Sequence, residues 1–388
     1  MKTNKNSSSP FGDSVHNQSV DFVELFFDLV FVFAITRTTH LVAHHLDFHT
    51  ISQALLMFAL VWWAWTQFTW TLNSVDTSRK ATRVVTLIIT GIAFIMATSV
   101  DMAFKEGVLW FVVPYLIIRL VGLVLISMGS SENKLDKSII IPVIITALLS
   151  LLTIFIGAFV KPDLRQWLWF LAIIMDLLSG VIAGRGKDEI TTNKIRIGHF
   201  IERHALIVII ALGESMIVAG NSVADDERTM FLLIAAGASV IITCLLWWTY
   251  FGWVREFLED HLEKSPVEAH SKLVTYGYSY FHFPLVCGVI SLAISFGLIL
   301  PHSTEPLSMT AVLAMAIGIF LFTGSTAATV GIITGKIMWP RLLVLTVTCM
   351  ALLFTANVTP AHGLGIVILG LSIIVIVDQM WVSRVKSK

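Results

Sequence analysis

Apolar runs of about twenty residues recur from residue 22 to residue 382, and the links between them are too short to form a second, soluble domain. A bilayer core about 30 Å thick needs roughly 20 apolar residues in a helix to cross it. Segments of that length lie near 22–44, 50–73, 81–104, 107–128, 138–160, 165–184, 198–221, 229–254, 271–300, 308–334, 340–358 and 363–382. The expectation is an all-α polytopic membrane protein of about twelve transmembrane helices, with the lipid bilayer as its first partner. Composition agrees: 56% of residues are hydrophobic and 13% charged, whereas a soluble domain carries about 25% charged residues. A formal net charge of +0 offers no electrostatic footprint for nucleic acid.

The basic residues orient the spans. With a cytoplasmic N-terminus, nineteen Lys and Arg fall on the inner side, and four (Lys105, Lys161, Arg165, Arg228) on the outer. That asymmetry is the positive-inside pattern and predicts both termini in the cytoplasm. It divides the chain into a disordered tail over 1–21, a six-helix half over 22–184 and a linker over 185–197. A second six-helix half over 198–382 and a tail over 383–388 follow. The first tail has no apolar core of a signal peptide. The charged stretch 255–270 reads as a solvated loop. Trp110, Trp167, Trp169, Trp339 and Trp381 lie near span ends, where indole rings favour the headgroup region.

Two openings six spans apart look alike: Phe22-Val23-Glu24 and Phe200-Ile201-Glu202. Each is followed in the next span by clustered tryptophans, WWAW at 62–65 and WWTY at 247–250. An even number of intervening spans makes this a candidate parallel repeat of two six-helix halves. Chance similarity between membrane helices is the alternative.

Ionisable residues inside the spans are the candidate functional groups, because such residues usually face a hydrated cavity or an ion path. At 1.5 Å rise per residue, Asp28 sits roughly 9 Å above the inner edge, with Glu24 one turn below it. Glu202, Arg203 and Asp378 share that inner level. Arg119, Asp176 and His282 fall near the middle, and Arg37, His40 and Glu214 in the outer third. Arginine does not shed its proton in a protein, so depth suggests pairing Arg37 with Glu214, Arg119 with Asp176, and Arg203 with an inner carboxylate. One reading makes these pairs structural locks, with Glu24 and Glu202 reaching toward the interface. The other places Asp28, Arg37, Arg119, Asp176 and Glu214 along a solute or ion pathway. His282 precedes Phe283-Pro284, where a mid-span proline breaks the helix and frees a carbonyl.

No phosphate-binding glycine loop, metal-type His or Cys spacing, or nucleophile elbow occurs. Cofactor, metal and catalytic residues are therefore expected to be none. Cys244, Cys287 and Cys349 read as small buried side chains.

FVELFFDLVFVFAITRTTHL at 22–41 and FIERHALIVIIALGESMIV at 200–218 resemble the two signatures of the bacterial low temperature requirement protein A (LtrA) family. The motif residues here are Glu24, Asp28, Glu202, Arg203, Gly213, Glu214 and Ser215. His204 and Ala205 depart from the aromatic residue and glycine expected in many members. The resemblance implies a bacterial plasma-membrane protein linked to growth in the cold, and no defined chemistry. A fainter similarity joins residues 26–36 to the first helix of lysosomal-type two-repeat potassium channels, but Leu206 stands in span 7 where Asp28 would align. The expected function is a secondary transporter or permease for a small solute or ion, with proton coupling as an option and association with further copies left open. The alternatives are an ion channel lined by span 1, and a lipid-modifying or membrane-adaptation enzyme.

Overall fold

The computed structural model describes residues 20–43, 46–133, 137–183, 195–225 and 228–386. Residues 1–19, most of the 185–197 linker and the last two residues of the C-terminal tail lie outside the described residues. Among the described residues every regular element is helical. The first half comprises α1 (Phe22–Ala43), α2 (Phe48–Ser74), α3 (Lys80–Thr98), α4 (Leu109–Asn133), α5 (Lys137–Gly157) and α6 (Pro162–Ala183). The second comprises α7 (Ile197–Asp225), α8 (Met230–Phe251), the short helices α9 (Val254–Lys264) and α10 (Val267–Val274), then α11 (His282–Ile299), α12 (Met309–Thr334), α13 (Trp339–Leu353) and α14 (Pro360–Lys386). Among the described residues ten helical segments are long and apolar enough to cross a membrane, and Ile141–Gly157 and Trp339–Leu353 are shorter apolar helices.

Local sequence sets the ends. Asp47, Thr229 and Ser308 each accept a hydrogen bond from a first-turn N–H of α2, α8 and α12, the usual way orphan helix donors are satisfied. Gly335, at φ 69°, closes α12 in the left-handed conformation that glycine adopts without penalty. The ninth apolar run is broken, as Pro284 predicts. A proline ring collides with the carbonyl four residues back, here that of Tyr280. The backbone widens into a π-helical turn over Thr275–Tyr280 before α11 begins.

In the first half α1 packs on α2 and α3, α2 on α4 and α6, and α3, α4, α5 and α6 on one another in sequence. Every one of these adjacencies recurs in the second half: α7 on α8 and α11, α8 on α12 and α14, and α11, α12, α13 and α14 in sequence. The halves meet where α1 packs against α7 and α11, and α2 against α7. Helices α1 and α7 run parallel, since Glu24, Asp28 and Thr36 meet His199, Arg203 and Glu214 in the same order.

Three expectations need correction. The stretch 255–270 is mostly helix: α9 turns Val254, Phe257, Leu258 and Leu262 into a second, smaller apolar cluster with Ile197, Phe200 and Tyr278 and leaves its charges outward. An i, i+3/i+4 apolar stripe inside a charged run was the signal for it. Trp169 is not interfacial but fully buried, donating to the Ile154 carbonyl (3.0 Å); Trp110, Trp167 and Trp339 are exposed as expected. The paired tryptophans are not equivalent, for Trp62 and Trp65 are buried and Trp247 and Trp248 face outward.

Candidate functional site

The seam between the halves is polar at the end where α1 and α7 begin. Glu24 and Asp28 stand one turn apart on α1, and His199 and Arg203 one turn apart on α7, so two parallel helices bring four ionisable groups into register. Arg203 holds Asp28 through two bonds: Nε donates to Oδ2 (3.1 Å), and Nη2 donates to Oδ1. The indole N–H of Trp65 also donates to Oδ1 (2.7 Å). The Arg203 guanidinium lies over the Phe27 and Trp65 rings, 5.9 Å from each centroid. Glu24 faces His199 Nε2 at 3.0 Å and Arg203 Nη1 at 3.5 Å. All four ionisable side chains are buried, and charges in such a place are held only by close partners.

Residues of α2 support this ladder. Asn73 Nδ2 donates to the Arg196 carbonyl (3.0 Å) and its Oδ1 accepts from the Arg196 N–H (3.1 Å). Those two bonds fix the amide so that Nδ2 faces His199 Nδ1 at 3.4 Å. The imidazole therefore accepts on Nδ1 and carries its N–H on Nε2, directed at Glu24. Arg196 caps the end of α2, donating to the carbonyls of Leu72, Asn73 and Val75, where a cation suits the helix dipole.

Beside the ladder lies an aromatic and histidine cluster. His204 Nδ1 donates to the Phe200 carbonyl (3.0 Å), and its ring is T-shaped against Trp65, Tyr278 and His282. His282 Nδ1 donates to the Gly277 carbonyl (3.0 Å) and Nε2 accepts from the Tyr250 hydroxyl (2.7 Å). The π-helical turn is strapped to α2 by Trp62, which donates to the Ser279 carbonyl (2.9 Å), and by Trp70, which donates to the Ser279 hydroxyl (3.0 Å). His282 thus belongs to the neighbourhood of the seam, through the broken helix that proline at 284 announced.

The remaining charges are dispersed. Arg119 forms a two-pronged pair with Asp176 (2.6 and 2.9 Å) and contacts the Tyr115 hydroxyl (3.2 Å), all buried inside the first half. Arg341 pairs with Asp378 (2.9 Å) inside the second half. Arg37 does not pair with Glu214. It binds Asp101 (2.5 Å), a half-exposed acid in a 3-10 turn between α3 and α4, whereas Glu214 accepts from the hydroxyl of Thr36 (2.5 Å). Neighbours on a helix point about 100° apart, so matching depth alone could not separate Thr36 from Arg37. Glu214 and its neighbour Ser215 are buried on the seam side of α7, while a side chain at Gly213 would meet nothing within 4 Å. Glu202 is partly exposed. His199, Asn73, Tyr250 and Tyr278 escaped the sequence reading, and the i, i+4 spacing of His199 and Arg203 against Glu24 and Asp28 was the available signal. Among the described residues no group of three or more His, Cys, Asp or Glu is placed to hold a metal ion.

An uncharacterized protein of Rhizobium meliloti (strain 1021) is 29% identical over 325 residues, covering 81% of this chain and 78% of its own. No solved structure matches the chain. The description "Bacterial low temperature requirement A protein (LtrA)" matches residues 19–377, and the chain therefore belongs to the LtrA family.

Proposed function

We propose that the protein is a secondary transporter or permease for a small solute or ion, built of twelve spans in two parallel six-helix repeats. Both termini face the cytoplasm of a bacterial cell and the spans cross its plasma membrane. The repeat is supported by helix adjacency, which is the same in both halves, and by the parallel register of α1 and α7. Orientation rests on the charge asymmetry of the links.

One observation carries the transport reading: the surface where the halves meet holds a buried ladder of Glu24, Asp28, His199 and Arg203. An interface meant only to hold two halves together is served as well by apolar packing. Ionisable groups at a joint let loading or unloading of an ion change how the halves fit, which is what alternating access requires. Arg119–Asp176 and Arg341–Asp378 tie helices within a half and move with it as rigid bodies. Arg37–Asp101 fastens the outer end of α1.

The test uses purified protein in proteoliposomes on a solid-supported membrane, challenged with potassium, sodium, ammonium and a set of amino acids. A saturable transient current for at least one of them, reduced at least tenfold by Asp28→Asn, is the expected result. Unitary current steps in a planar bilayer would replace this reading with the channel. Silence in both assays, with a lipid species missing from a deletion strain, would replace it with the enzyme.

A further inference from the structure

One charge in the ladder is left over. Asp28 and Glu24 supply two negative charges and Arg203 one positive charge. The tautomer of His199, with Nδ1 accepting from Asn73, is the neutral one. Arg196 also faces Glu24, but its guanidinium donates to the carbonyls of Leu72, Asn73 and Val75 at the end of α2 and faces Asp76 as well, so Glu24 has only a share of that charge. The charged or titratable groups facing Glu24 come from α7 (His199 and Arg203), from Arg196 just before it, and from α1 itself (Asp28). A buried charge without a partner costs several kcal/mol, so the site calls for one more positive charge.

The surroundings select which cation. Sodium or potassium needs a shell of oxygen ligands, as every hard cation does. Here the two carboxylates are surrounded by donors instead: the Trp65 indole, the Arg203 guanidinium and the His199 Nε2–H. A proton alone fits a site of that kind. The two carboxylates differ in their room for it. Asp28 accepts from Trp65 and twice from Arg203, so both of its oxygens face donors. Glu24 accepts from His199 at Oε1; its Oε2, 3.0 Å from the same imidazole nitrogen and 3.5 Å from Arg203 Nη1, has no hydrogen bond of its own, and neither has that Nη1.

We propose that Glu24 is the exchangeable proton site of the protein, and that its proton is the coupling ion. Resting on the transport reading above, this supplies the ion that reading leaves open. With Glu24 protonated, Asp28 and Arg203 balance each other. When the Glu24 O–H proton leaves to cytoplasmic water, the carboxylate left behind draws Arg203 Nη1 onto Oε2. Arg203 then bridges both acids, and α1 and α7 are drawn together at their inner ends. Glu24 lies two residues inside the start of α1, close to the exposed Arg83–Asp21 pair, on the side from which water arrives.

The experiment is infrared difference spectroscopy of purified protein in nanodiscs, titrated from acid to alkaline pH, which requires no flux. The expected result is a protonated-carboxyl band that persists near neutral pH, shifts when glutamate is carboxyl-13C labelled, and is lost in Glu24→Gln. A band that shifts only with labelled aspartate, a band that survives Glu24→Gln, or no such band at all would each overturn the assignment. The labelling arm needs only the native protein, so a variant that fails to fold does not spare the proposal. A band lost in Glu24→Gln from a protein that moves no solute would sink the transport reading and leave the proton site standing. Flux without the band would do the reverse.

Discussion

Arg119–Asp176 and Arg203–Asp28 are the same chemistry in two settings. Both are two-pronged arginine–aspartate pairs with fully buried side chains. The first lies within one half, between α4 and α6, and Arg119 has one acid at hand. The second lies between halves, and Arg203 has two acids one turn apart with a histidine completing the set. An arginine with one carboxylate has one place to be, which makes a lock. An arginine between two carboxylates can exchange partners without leaving a buried charge bare. The difference lies in the surplus acceptor.

The largest expected effect is on the lock. Asp176→Leu strands the Arg119 charge in the core and should destabilise the fold by about 3–5 kcal/mol, read as a large fall in unfolding temperature in detergent. Adding Arg119→Met should recover most of the loss, because apolar replacement of a whole buried pair is often neutral. Asp28→Asn should cost much less stability than Asp176→Leu, since Glu24 is in reach to take Arg203, while abolishing solute-driven current. Equal destabilisation by the two aspartate substitutions would erase the distinction between lock and switch.

An intermediate effect is expected beside the seam. Tyr250→Phe removes the hydroxyl that donates to His282 Nε2 and leaves that buried nitrogen unpaired, which should cost about 1–3 kcal/mol, measured by thermal unfolding. Because Tyr250 touches neither acid of the ladder, this variant should keep the protonated-carboxyl band. Loss of the band here would extend the switch into the histidine cluster.

How much of this could be read from the chain follows from what each signal measures. Apolar run length reports helices able to cross a membrane: among the described residues ten of the expected spans are such helices, and shorter apolar helices stand at the other two. Depth along a span reports which charges can meet, and it found Arg119 with Asp176 and Arg203 with an inner acid. It cannot report rotation about the helix axis, which is why Arg37 was matched to Glu214 when Thr36 is the residue that points there. Nor does it see past the assumption that a basic residue at a span end is solvated: Arg341 was placed among the cytoplasmic positive charges, and it is buried on Asp378. The signals for the proposed repeat are of unequal worth. The Phe-x-Glu openings pointed to it, whereas the tryptophan pairs that seemed to support it sit in opposite environments. The better evidence, the order in which helices touch, exists only in three dimensions.

The smallest effect comes from a carboxylate standing in water, which sets the lower end of the scale. Asp47 is exposed and caps α2, accepting from the Thr50 N–H (3.0 Å) and hydroxyl (2.7 Å). Those bonds, the hydroxyl first, hold its carboxyl below the ordinary aspartate value. A carboxyl whose native value is depressed adds stability above the unfolded value, near 3.9, and loses it as pH falls through the native one. Asp47→Ala should therefore lower the unfolding temperature slightly at pH 7, and the gap between variant and native protein should narrow in acid below about pH 4. Because Asp47 lies at the start of α2, away from the seam, the same substitution should leave the flux and the protonated-carboxyl band unchanged. A flux defect in Asp47→Ala would mean that losing any carboxylate impairs this protein, and the comparison between lock and switch would then lose its control.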